Sequence, residues 1–208
     1  MIKALLLIFE PIGTWDGIFR AKRAMGSILT LYLIPMLLLT CIAEGYGLAR
    51  WGKTQGEYAH TRLFSPKEAF VFETGQFVIY LAIFFIGAKL IKSIGETFHG
   101  RHTYSQAFTT IAYGLSPLLL LRLLDALPGM SPWVSWPIGI ILSIGVLYQG
   151  IPRIMEPDPP HAFGLYLMSA LLLCLITGLF RFLTAWYLTG KFVKLDSIIS
   201  DIAARLPF

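Results

Sequence analysis

Six ionisable side chains interrupt long apolar runs: Glu44, Glu73, Lys89, Arg122, Asp125 and Arg181. A charge in such a run is costly in hydrocarbon, so it marks either a path for ions or protons or a pairing between helices. Glu44 lies about four residues from the end of its run and Glu73 about four from the start of the next, at 1.5 Å per helical residue. The two acids reach the same outer level if their helices are neighbours. There they form either a proton or cation site or two interfacial acids reaching water. Arg122 and Asp125 are three apart, which puts them on one helix face, able to pair. Arg122 stands about 7 to 8 Å from the end of its run, short enough to snorkel, so an end-of-helix pair outweighs a transport residue. Arg181 sits roughly seven residues inside its run, where snorkelling is harder. A contact with Asp125 follows if helices three and five pack together.

Other chemistries have thin support. Glu96, His99 and His102 stand at spacings that can share a helix face, but Gly100 interrupts them and no further strong ligand is near, so solvated loop histidines are expected. No GxSxG, HExxH, P-loop or GxGxxG stands in its required context. The reading therefore includes no catalytic residue, no cofactor and no metal, and the chain is not expected to be an enzyme. Cys41 and Cys174 both fall in apolar runs, where a thiol behaves as a small hydrophobe, and no disulfide is expected.

The elements that must position these groups are membrane helices. Of the 208 residues 56% are hydrophobic and 14% charged, and the mean hydropathy is +0.68. A soluble domain does not have that composition. The net charge of +5 is spread between apolar runs, which suits anionic lipid headgroups and excludes a nucleic-acid face. A span needs about 20 mostly apolar residues. Five such runs occur, at about 27–48, 69–91, 104–127, 133–151 and 161–188. Ser65-Pro66-Lys67-Glu68 opens the second, and Thr103 with Gln106 forms a capping box for the third. Pro117 lies inside the third and predicts a kink, with Gly114 and Ser116 easing it. The fold class is thus all-α, a polytopic bundle of five transmembrane helices.

Residues 1–26 read as a short interfacial amphipathic segment, broken by Pro11 and Gly13, and 191–208 as a C-terminal tail. The short apolar start ending at Glu10-Pro11 does not fit a signal peptide, so a retained N-terminus is expected. Trp15, Trp51, Trp133, Trp136 and Trp186 read as interfacial belt anchors. Gly139, Ser143, Gly145 and Gly150, with Ser169, Thr177 and Gly178, mark close helix packing in a bundle or oligomer. If the N-terminus is cytoplasmic, Lys and Arg divide eight to seven between the two sides, and the tight basic flank of the first helix, Arg20, Lys22 and Arg23, favours that orientation.

The order of elements and several short motifs resemble the Yip1 family of integral membrane proteins. Tyr113-Gly-Leu-Ser-Pro117 is similar to the family's GYxxxP, with Ala112 in place of the glycine. Tyr104-Ser-Gln-Ala-Phe108, Glu10-Pro-Ile-Gly-Thr-Trp15 and Leu147-Tyr-Gln-Gly150 resemble the polar-to-aromatic stretch, the opening and the fourth-helix end of its bacterial members. The DLYGP motif and the cytosolic extension of eukaryotic members are absent from this sequence, so their trafficking and GTPase partners do not carry over. The resemblance implies a prokaryotic-type relative, multi-pass in the cytoplasmic (inner) membrane. The leading expectation is a non-enzymatic scaffold or accessory subunit, with lipid and other membrane subunits or its own copies as partners. The alternative is a small transporter or channel with proline-broken helices, using Glu44, Glu73 and Arg181. A lipid-directed enzyme ranks third, because no nucleophile can be named.

Overall fold

The computed structural model describes residues 2–55, 60–98 and 102–206. Two short helices, α1 (Ile2–Phe9) and α2 (Pro11–Ala21), precede the first long one. The break at Glu10 follows from Pro11, which is tolerated in the first turn of α2 and cannot continue α1. Five helices are then long and apolar enough to cross a membrane: α3 (Met25–Arg50), α4 (Pro66–Thr97), α5 (Tyr104–Ala126), α6 (Pro132–Met155) and α7 (Ala162–Leu188). A two-stranded antiparallel ribbon, β1 (Lys53–Gln55) and β2 (His60–Arg62), lies between α3 and α4. The chain ends on α8 (Val193–Ala204). The all-α membrane bundle expected from composition is the observed fold.

The helix starts follow their caps. The Ser65 hydroxyl accepts from the Glu68 N–H while the Glu68 carboxylate accepts from the Ser65 N–H. Thr103 and Gln106 do the same for α5. The helix ends differ from expectation. Helix α4 continues to Thr97 and α6 to Met155, because polar residues such as Lys92 and Glu96, which pair at i,i+4, prolong a helix beyond its apolar part.

Helix α5 is the central one. It has 72% of its most apolar stretch buried, against 28 to 44% in the other four spans. It packs on α3, α4 and α6, while α7 packs on α4 and α6. Pro117 splits it as predicted: helix runs over Tyr104–Gly114 and again over Ser116–Arg122, with Leu115 between them, and tightens into a 3₁₀ turn at Leu123–Ala126. The interruption exchanges bonds within the helix for bonds between helices. The Leu118 N–H donates to Ser143 Oγ of α6 at 3.2 Å, and the Ser116 hydroxyl bonds Tyr32 of α3. Gly139 allows this approach, since a Cβ there would lie 2.9 Å from the Leu118 Cα.

The N-terminal segment is more deeply engaged than an interfacial helix resting on a surface. Ala4, Leu7 and Trp15 are fully buried. α1 packs on the second half of α5, and α2 packs on α6. Trp15 is therefore not a belt residue: its indole N–H donates to the Val146 carbonyl at 3.0 Å and its ring fills the space left by Gly150. The C-terminal tail is also ordered. α8 packs on α4, with Arg62 paired to Asp196 and Ser200 donating to Glu68.

Candidate functional site

Helix α5 delivers two charged groups, Arg122 at the end of its last α-helical turn and Asp125 in the 3₁₀ turn after it. The guanidinium of Arg122 is 3% exposed and bridges two helices. Its Nε lies 2.8 Å from Glu44 Oε2 of α3, and its Nη2 lies 2.9 Å from Glu73 Oε2 of α4. Nη1 donates to Cys41 Sγ at 3.8 Å, and the guanidinium stands 4.6 Å from the Tyr80 ring centroid. Carboxylates and an aromatic face thus replace water around the cation. Glu44 and Glu73 are neighbours at one level, as expected, but neither reaches outward to water: both are buried. Oε1 of each lacks a hydrogen-bond partner among the described residues.

Arg122 does not pair with Asp125. The physical reason is charge matching: among the described residues Arg122 is the cation in ion-pair contact with Glu44 and Glu73, whereas Asp125 is met from the other side. Arg181 Nη2 of α7 lies 2.5 Å from Asp125 Oδ2 and donates to Ser135 Oγ at 2.8 Å. Ser135 donates in turn to Asp125 Oδ1 at 2.6 Å. Arg181 reaches Asp125 although α7 packs chiefly on α4 and α6, because a long side chain spans the gap. Lys53, from β1, closes the group by donating to the backbone carbonyls of Asp125 and Met130. Burial pushes the Lys53 ammonium below its usual range, while Asp125 and Glu44 oppose that shift.

Three carboxylates and three cations are therefore gathered in one region. The gap bordered by Tyr80, Arg122, Asp125, Ser135 and Arg181 is about 10 Å³, at most one water. The centre is paired, and this gap is too small to hold a continuous file of water. A separate apolar groove of about 620 Å³ opens between α3 and α4, with Leu38, Ile42, Tyr46, Phe70 and Phe77 on its walls, and reaches Cys41 and Glu73 from the outside.

The remaining residues singled out in the sequence lie elsewhere. Tyr113 is a hub on the N-terminal side: its ring packs at 4.4 Å on Tyr32 and at 6.3 Å, edge-on, to Trp15. Pro117 sets the break described above, and Lys89 is exposed on α4. His102, expected in solvent, is buried against Gly95. His99 lies outside the described residues.

Lys53, Tyr80, Cys41 and Ser135 were missed in the sequence. Only Lys53 left a trace: three intramembrane acids near one level outnumber two arginines, and Lys53 is the first lysine after α3. The family model described as the Yip1 domain matches residues 5–181, so it covers α2 to most of α7 and includes Glu44, Glu73, Tyr113, Pro117, Arg122, Asp125 and Arg181. No curated protein and no solved structure matches the chain.

Proposed function

The chain belongs to the Yip1 family of membrane proteins, and from that premise we propose that it is a non-enzymatic scaffold or accessory subunit of a complex in the cytoplasmic membrane, its N-terminus on the cytoplasmic side. One observation carries the reading: the charged groups of α3, α4, α5 and α7, with Lys53 of β1, balance one another around a gap of about 10 Å³. Conduction needs a wet path with sites that are entered and left. A core in which carboxylates and guanidiniums from four helices pair with one another serves instead to hold helices in one arrangement, leaving their outer faces for lipid and partner helices. Those outer faces are apolar, with Leu31, Ile42, Ile86, Ile141, Leu175 and Leu179 exposed.

Solubilisation of native membranes in mild detergent tests this. The expected result is migration with a defined partner or as a discrete oligomer, and a lone monomer counts against it. The groove between α3 and α4 favours a second reading, a small transporter, because it brings an outside surface to Glu73. That reading requires flux in proteoliposomes that falls on Glu73→Gln and Arg181→Leu; flux unchanged by both substitutions removes it.

A further inference from the structure

On the N-terminal side, away from the paired core, a cavity of about 340 Å³ lies between α2, the start of α3 and the first half of α5. Its volume falls in the range of about 300 to 1,000 Å³ typical of small-molecule pockets. Lys3, Lys22 and Arg23 line it, against the single carboxylate of Glu156. None of the three cations forms an ion pair among the described residues. Tyr113 forms part of the wall, 1% exposed, and its hydroxyl has no hydrogen-bond partner among the described residues. The Lys3 ammonium stands 5.9 Å from the centre of that ring.

We propose that this cavity binds a phosphate ester, gripped by Lys3, Lys22 and Arg23 with the Tyr113 hydroxyl donating from below. Three unbalanced cations around a concave site are stabilised by one tetrahedral anion that accepts several hydrogen bonds at once. The first turn of α5 adds to this, since Ser105 and Gln106 border the cavity where the positive end of the helix dipole lies. Burial and the Arg23 charge both push Lys3 below its usual range, which a bound anion would reverse. Ile18 and Ile28 supply apolar walls, suiting an ester whose other end is hydrocarbon. The ester is carried either by an anionic phospholipid or by a small water-soluble molecule.

Native mass spectrometry of the purified full chain in detergent distinguishes these. Phosphatidylglycerol, phosphatidylcholine and inorganic phosphate are titrated separately against wild type, against Lys22→Asn/Arg23→Gln, and against Arg50→Gln/Lys194→Gln at the opposite end of the bundle. Asparagine is chosen because Lys22 has a φ of 38°, which Asn tolerates. The cavity pair is expected to weaken the retained ligand roughly 30-fold, at the strength of two basic residues beside anionic lipid, and the distant pair to leave it unchanged. Preference for phosphatidylglycerol over phosphatidylcholine and phosphate identifies lipid as the source. Retention of inorganic phosphate alone identifies a soluble ester. Equal binding by wild type and the cavity variant, or equal weakening by the distant variant, overturns the proposal.

Discussion

Arg122 holds two carboxylates from two different helices, so its removal leaves like charges facing each other in a dry core. Breaking a buried pair from one side costs about 3 to 5 kcal/mol, whereas replacing every member by neutral groups of similar size is often neutral or stabilising. Arg122→Met is therefore expected to destabilise the purified protein by about that amount in thermal unfolding followed by tryptophan fluorescence. The triple variant Glu44→Gln/Glu73→Gln/Arg122→Met is expected to recover most of the loss. An equally unstable triple variant would mean that Arg122 acts through packing alone. At this scale the sequence was half legible. Arg181 was too deep to snorkel and needed an acid, and Asp125 is where it lands. The partners of Arg122 were hidden because spacing along one helix reveals which residues share a face and nothing about which helix lies opposite. Asp125 was the only acid that i,i+3 arithmetic could offer.

At the scale of elements, α5 is broken where Pro117 demands it, and the freed backbone is taken up by α6 through Leu118 and Ser143. Ser143→Ala is expected to cost about 1 kcal/mol, the net worth of one buried hydrogen bond plus its unmet donor. Gly139→Leu, which forces a side chain against the Leu118 backbone, is expected to cost more, about 1 to 3 kcal/mol or above. Both are read from thermal unfolding of the detergent-solubilised protein, and a reversed order would contradict the close α5–α6 approach. Helix starts were legible because Ser65 with Glu68 and Thr103 with Gln106 are chemical signals confined to a few residues. Helix ends were not, since hydropathy reports the part of a helix that suits lipid and is silent on polar turns beyond it, as at Lys92 to Thr97. The π-helical turn at Leu29–Leu33 in α3 left no mark, because Pro35 sits after it and its sequence, Leu-Thr-Leu-Tyr-Leu, contains neither proline nor glycine.

For the whole molecule, two charged regions divide the bundle's ends. Glu44, Glu73, Asp125, Arg122, Arg181 and Lys53 balance one another towards the side of β1, while Lys3, Lys22 and Arg23 outnumber the single carboxylate of Glu156 on the N-terminal side. The first region fixes the helices, and the second is open to an anion. Tyr113 and Pro117, the residues that carried the family resemblance, lie between them: one forms the floor of the cavity and the other the break that turns α5 towards the paired core. The depth of α1 and α2 in the bundle was not legible, because an amphipathic pattern has the same form whether its apolar face meets lipid or protein. The account stands on the paired centre being dry, and Cys41, in contact with Arg122, reports on that directly. In a Cys174→Ala background, proteoliposomes exposed on both faces to a charged methanethiosulfonate are expected to leave Cys41 unmodified until the protein is denatured, while an added Lys194→Cys on the exposed face of α8 reacts at once. Modification of Cys41 in the folded protein at a rate comparable to that control would bring water to the Arg122 guanidinium, through the centre or along the groove between α3 and α4, and contradict the account.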